Sequence, residues 1–325
     1  MNELDTEPRD LLAGRYTLYE CLGEGAYGNV YRAQDRHSGT YVALKVLHMR
    51  HVMATADRVR FEREVPVVQQ FEHPHIVRVV DYGIAEEDQP YIAFELLTGR
   101  ALNHEIKRVG FMSDSRAGNI VSQVLSALCD AHAKNIIHRD IKPSNVFLLD
   151  TETTPDFVKV LDFGVAKVTE GSLKPIESVT DAGEMVGTLQ YMAPEQVRAE
   201  AVTPLSDVYA TGLLLCELLS GEKMVKADRM IDALMKHTDP AEHELPNSTA
   251  NSHFRSVVAR AVRKSPSERY PSAADMLRAV DSVVRLVGPP TTASGTLLLP
   301  EHLCSDESSS STLDLSDIAA RLAKK

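Results

Sequence analysis

Between residues 15 and 97 the apolar positions fall in short β-branched or aromatic runs. These are "RYTLYECLG", "GNVYRAQD", "TYVALKVLH", "IVRVVDYGI" and "PYIAFELL", set apart by turn formers such as His37-Ser38-Gly39. Runs of this kind predict five strands. One segment breaks the rhythm. In "DRVRFEREVPVVQQF", Phe61, Val65 and Val68 recur at i, i+4 and i+7 with charges opposite, which predicts an amphipathic helix. From residue 98 to 288 the helical period takes over in "AGNIVSQVLSALCDAHAKN", "SDVYATGLLLCELLSG" and "SAADMLRAVDSVVRLV". The second of these is apolar almost throughout and is expected to be buried.

The pattern divides the chain into an N-terminal tail (1–14), a sheet-rich unit (15–97), a helical unit (98–288) and a C-terminal tail (289–325). Pro289-Pro290 marks the last break, and "DESSSSTLDLSD" beyond it has the composition of a disordered segment. "SDIAARLAKK" could close the chain as a short helix with acids first and bases last.

Composition narrows the function only a little. Thirty-five basic against 46 acidic residues leave a net charge of −11, which weighs against non-specific nucleic-acid or anionic-membrane binding. Cys21, Cys129, Cys216 and Cys304 show no metal-like spacing, and a reducing, cytoplasmic setting is expected. "MNELDTEPRDLL" does not read as a signal peptide, and no run reaches the roughly 20 apolar residues of a membrane helix.

The chemistry concentrates in four places. "LGEGAYGNV" sets Gly23, Gly25 and Gly28 between two predicted strands; such glycines either make a hairpin turn or let backbone N–H groups approach phosphate oxygens. The loop runs into a strand, unlike a dinucleotide fingerprint, and lacks the Gly-Lys-Ser/Thr of a Walker loop. Lys45, inside the apolar "VALKV", either snorkels to water or pairs with a carboxylate, for which Glu64 on the helix is a candidate. "IIHRDIKPSNVFLLD" places Arg139, Asp140, Lys142 and Asn145 between two apolar runs, and "KVLDFGVAK" places Asp162 after a third. Asp140, Asn145 and Asp162 are hard oxygen donors, suited to magnesium on a triphosphate.

The glycine loop, "VALK", helical Glu64, "HRDIKPSN", "DFG" and "APE" occur in the order and spacing of eukaryotic-like (Hanks-type) protein kinases, which the chain resembles over about residues 15–285, most closely in bacterial members. The resemblance implies an α+β, bilobal fold with an antiparallel N-lobe sheet plus one helix and a mainly α-helical C-lobe. It implies that Leu22, Gly23, Gly25 and Gly28 cover the nucleotide and that Lys45, oriented by Glu64, holds the α- and β-phosphates. Val30 and Ala43 would roof the adenine and Phe147 floor it, with backbone groups of Glu95 and Leu97 at its edge and Phe94 as gatekeeper. Simple core packing explains these apolar residues equally well. Asp140 would orient the acceptor hydroxyl, Asn145 and Asp162 would hold Mg2+ (or Mn2+), and Lys142 would stabilise the moving phosphate. Lys142 and Thr188 match the Ser/Thr-specific branch, so the implied activity is transfer from ATP to Ser/Thr of protein substrates. Asp207 matches a buried aspartate bracing the catalytic loop, and Arg269 an arginine that pairs with Glu195.

Arg139 implies control by a phosphate, with Ser178 or Thr180 expected as autophosphorylation sites; Asp181 and Glu184 could supply the charge instead. Pro66 departs from the pattern. Lacking an N–H to bond the Glu62 carbonyl, it predicts a kinked or loosely held helix; either the kink is harmless, or it gives a low-activity resting state that a homodimer or docking partner would correct. Two other readings compete: a pseudokinase-like nucleotide-binding scaffold, disfavoured by the intact Lys45, Asp140, Asn145 and Asp162, and a small-molecule phosphotransferase, which usually lacks both the glycine loop and "APE".

Overall fold

The computed structural model describes residues 10–25, 28–48, 55–151, 155–163, 189–227 and 229–288, the side chains of Asp10, residues 55–58, Arg60, Glu64 and Glu87 aside. Ser178, Thr180 and Thr188, with the rest of residues 164–188, and the tail 289–325 lie outside them.

Alternation builds the first sheet. Strands β1 (Asp10–Leu12), β2 (Tyr16–Gly25), β3 (Gly28–Asp35), β4 (Tyr41–Leu47), β5 (Val79–Ile84) and β6 (Pro90–Glu95) form one antiparallel sheet in the order β1-β2-β3-β4-β6-β5. β1 corrects the expectation of five strands and a tail over residues 1–14. Its three residues, paired Asp10↔Leu18 to Leu12↔Tyr16, are too few to show an alternation. Along β4, Val42, Leu44 and Val46 are buried with Tyr16, Ala33 and Ala93, so Ala43 and Lys45 take the opposite face. Val30 stands directly across from Lys45 and shares that face.

Helix α1 (Thr55–Gln69) crosses between β4 and β5 and buries Phe61, Val65 and Val68, the stripe read from the sequence. The helix continues through Pro66 to its end.

The helical lobe opens with β7 (Gly99–Ala101), α2 (Leu102–Val109) and α3 (Asp114–Ala133). β8 (Val146–Leu149) and β9 (Phe157–Val160) join β7 in a small antiparallel sheet of order β7-β8-β9. There follow α4 (Pro194–Val197), α5 (Pro204–Ser220), α6 (Met230–Thr238), α7 (Asn247–Ala250), α8 (Arg255–Ala261) and α9 (Ala273–Val287). The centre of this lobe is α5, with every residue from Ser206 to Leu219 buried. Its ends are written in its sequence: the Thr203 hydroxyl accepts from the Leu205 N–H, Pro204 opens the first turn, and Gly221 closes the helix at φ +71°. Among the described residues, no helix is long and apolar enough to cross a membrane.

The lobes meet where the Val77 N–H donates to the Val160 carbonyl (3.0 Å) and the Val160 N–H to that of His75 (2.8 Å). Nearer the connection between lobes, Glu105 of α2 is fully buried among Arg100, Arg108 and Arg116 at 2.5–2.8 Å. Arg116 also grips Asp156 through two bonds, at 2.6 and 2.7 Å, joining α2 and α3 to the turn before β9. Arg108, then Arg116 and Arg100, hold the Glu105 carboxyl down to about 2 against burial, which pushes it up. A carboxyl depressed by folding stabilises the fold above its ordinary 4.5 and loses that contribution as pH falls toward about 2. Urea midpoints should therefore drop between pH 4.5 and 2, and drop less steeply in Glu105→Gln. Equal slopes would remove Glu105 from the acid sensitivity.

Candidate active site

The loop between α3 and β8 is built on one carboxylate. Asp207, in the first turn of α5, is 1% exposed; its Oδ1 accepts from the Arg139 N–H (2.8 Å), and its Oδ2 accepts from the His138 N–H (2.9 Å) and from His132 Nε2 (2.8 Å). A buried anion without donors would be costly; here three donors converge on it and fix two successive peptides of the loop. The grip comes with local strain, since Arg139 sits at φ +70° and Asp162 at φ +58°, where only glycine is at ease.

His138 organises the other side. Its Nδ1 accepts from the Asp140 N–H at 3.2 Å, so its ring proton is on Nε2, which donates to the Leu161 carbonyl at 2.8 Å. The Leu161 N–H in turn donates to the Asn145 carbonyl at 2.9 Å. Asp140 and Asp162 are thus held on one framework. Phe163 adds an apolar anchor: it is 1% exposed, stacked on Phe71 (6.2 Å between centroids) and edge-on to His138 (4.6 Å).

Asn145 donates from Nδ2 to both the Asp140 carbonyl (2.8 Å) and Asp140 Oδ2 (2.9 Å). A carbonyl only accepts, so the amide orientation is forced, with Nδ2 toward Asp140 and Oδ1 as the acceptor end. Lys142 Nζ lies 2.9 Å from Asp140 Oδ2. Lys45 Nζ reaches Asp162 Oδ1 at 2.8 Å, the contact that brings the sheet lobe to the loop. Partial burial raises the Asp162 carboxyl, but Lys45 outweighs it and holds the group below its ordinary value. Lys45 therefore has a carboxylate partner, but at Asp162, 117 residues away; the side chain of Glu64, the expected partner, lies outside the described residues.

Among the nucleotide candidates, Val30, Ala43 and Lys45 share a sheet face, and Phe147 of β8 pairs with Ala101 of β7. The Glu95 N–H is already committed to the Arg78 carbonyl at 3.0 Å, and the Glu95 carboxylate to Lys159 and the Arg78 N–H. Leu97 follows β6 and packs partly buried against the core, while Leu22 is 48% exposed. Of the three glycines, Gly28 also has a steric reason of its own: a Cβ there would lie 2.3 Å from the Val46 carbonyl oxygen. At Gly23 a Cβ would meet nothing within 4 Å, so nothing inside the chain demands glycine there. Gly25 pairs with Gly28 at the hairpin end.

No cluster of three or more His, Cys, Asp or Glu suited to a metal occurs among the described residues. Asn145 Oδ1 and the second oxygen of Asp162 fit an ion that takes few protein ligands and keeps water and phosphate for the rest. Sequence reading left three residues without a role: His138, although it stood inside the quoted cluster, His132, and Gln196, whose Nε2 donates to the Arg139 carbonyl at 2.9 Å. Only their three-dimensional placement reveals them.

The family described as "Protein kinase domain" matches residues 16–280. The serine/threonine-protein kinase pkn3 of Myxococcus xanthus is 36% identical over 274 residues, covering 82% of this chain and 49% of the relative. PknB of Mycobacterium tuberculosis is 35% identical over 270 residues, covering 82% of this chain and 42% of that protein. The chain thus spans about half the length of the curated relatives it matches. Among solved structures, the kinase domain of Mycobacterium tuberculosis PknI, crystallised as a double mutant, is similar with a TM-score of 0.66 and 26% identity, covering 86% of this chain and all of that one.

Proposed function

Because the chain belongs to the protein kinase family, we propose that it transfers the γ-phosphate of ATP to serine and threonine hydroxyls of proteins. The observation that carries the reading is the Lys45–Asp162 contact at 2.8 Å, which sets a strand cation from the sheet lobe beside the Asp140–Asn145 cluster of the helical lobe. Phosphoryl transfer asks for in-line positioning and neutralised charge more than for covalent help, and this site offers fixed cations, hard oxygens and one carboxylate. The glycine hairpin and Lys45 hold the triphosphate, with Val30, Ala43, Phe147, Glu95 and Leu97 around the base. Asn145 and Asp162 hold Mg2+ or Mn2+, which when bound supplies charge neutralisation at the phosphate oxygens. Asp140 orients the acceptor hydroxyl and takes its proton, and Lys142, already 2.9 Å from Asp140, follows the phosphate as it moves. That this polar set is complete weighs against a scaffold without catalysis.

Titration of the chain with ATP and Mg2+ should show binding, and Lys45→Met should weaken it roughly 10–100-fold, the loss of one charge-assisted contact. Unchanged affinity would remove Lys45 from the phosphate site. The proposal extends to autophosphorylation at Ser178 or Thr180, read by Arg139, whose backbone is fixed at both ends by Asp207 and Gln196. Mass mapping after incubation with ATP should find phosphate between residues 171 and 187; its absence there would reject this extension.

A further inference from the structure

The alternation of β9, "FVKV", sends Val158 and Val160 into the core at 0% exposed and leaves Lys159 on the other face. Directly across on β8 stands Phe147, proposed above as the floor under the base. Antiparallel partners share a face, so Lys159 stands beside that floor. An ammonium that is only 14% exposed needs acceptors, and its Nζ has two: the Glu95 carboxylate at 2.8 Å and the Ile76 carbonyl at 3.3 Å.

Both acceptors lie on the N-terminal side of the link between the lobes. Glu95 ends β6, where it pairs with Val42, the neighbour of Ala43 on β4. As the partner of Val42 it turns its side chain away from the face of Ala43, so the carboxylate stands outside the base slot. That carboxylate is aimed from its own end too. The oxygen that takes Lys159 also accepts from the Arg78 N–H at 2.9 Å, and the Glu95 N–H donates back to the Arg78 carbonyl at 3.0 Å. Only Leu96, Leu97 and Thr98 separate Glu95 from β7. A short irregular link of this kind can absorb a change in the angle between two lobes. The Lys159–Glu95 contact crosses the same gap without a covalent bond, one cross-strand pair from Phe147 below and one residue from the Ala43–Phe94 pair above.

We propose that Lys159 and Glu95 are positioning residues for the nucleotide base, their side chains forming a strut that sets the spacing between the roof at Ala43 and the floor at Phe147. The proposal rests on the nucleotide reading given above and adds a task for the Glu95 carboxylate, distinct from that of its backbone. Isothermal titration of the full chain with MgATP and with adenosine tests it. The variants are Lys159→Met, which keeps the apolar stem and removes the donors, Lys159→Arg, Glu95→Ala, and the double variant Lys159→Met with Glu95→Ala. Lys45→Met, which should weaken ATP and spare adenosine, is the reference.

Lys159→Met and Glu95→Ala should each weaken ATP and adenosine alike, by about five- to tenfold, the value of one charge-assisted bond partly screened by solvent. Arginine at 159 should restore most of the affinity. The double variant should bind no worse than either single one, because each removes the same contact. Unchanged affinity in Lys159→Met would overturn the proposal, as would losses that add in the double variant or a loss for ATP with adenosine untouched. An equal rise in the KM for dephosphorylated casein would overturn it as well, since that marks a general loosening. If the wild type binds neither ATP nor adenosine, the nucleotide reading fails and takes the strut with it; a wild type that binds both, with unaltered variants, sinks the strut alone.

Discussion

Asp140→Asn is expected to lower turnover by roughly 10²–10⁴-fold, the usual contribution of a positioned general base, while leaving ATP binding nearly intact. The amide matches the carboxylate in size and can still face Asn145 and Lys142, now 2.9 Å away on either side, so the loop should keep its form. What it loses is the negative charge that takes the hydroxyl proton. Transfer of labelled γ-phosphate to casein under steady-state conditions gives kcat, and thermal melting gives stability. A variant with wild-type kcat would show that another group takes the proton. A variant with a much lower Tm would mean that Asp140 serves the loop rather than the reaction.

The largest expected loss of stability lies away from the reacting groups. Glu195 and Arg269 are 4% and 0% exposed and joined by two bonds, at 2.7 and 2.8 Å; Ser206 adds a third donor to the carboxylate. Burial pushes the Glu195 carboxyl up, but Arg269 and Ser206 together bring it below its ordinary value. Glu195→Ala leaves a guanidinium enclosed without a counter-charge among the described residues, held by the carbonyls of Arg263, Lys264 and Leu205 and by the Tyr209 ring at 4.8 Å. Breaking one side of such a pair costs about 3–5 kcal/mol, or roughly 6–20 °C in Tm for a domain of this size. The double variant Glu195→Leu with Arg269→Met should recover part of that loss, because it removes both charges from the interior. If the single variant melts within a degree or so of wild type, the pair is not holding the strip that precedes α4.

Local periodicity made the strands and the long helices legible: Val42, Leu44 and Val46 alternate into the core, and Phe61, Val65 and Val68 line one side of α1. The ordered motifs made Asp140, Asn145 and Asp162 legible as a set. Pairings between distant segments were legible only where the resemblance named them, as for Asp207 under the loop of His138 and Arg139 and for Arg269 with Glu195. Lys45 could be read as needing an anion, but its contact with Asp162 depends on how two lobes meet. Glu105, as a residue of a short amphipathic helix, carries no sign that three arginines from three segments will enclose it.

By accepting from the His138 and Arg139 amides, Asp207 ties the loop that carries Asp140 to α5, which is buried from Ser206 to Leu219. Loops usually breathe independently of the core that carries them. This one cannot detach without uncovering a carboxylate inside the protein, so its opening is tied to global unfolding. The segment that carries Asp140 therefore shares the cooperativity of the interior, and conditions mild enough to spare the fold will spare the geometry of Asp140 as well.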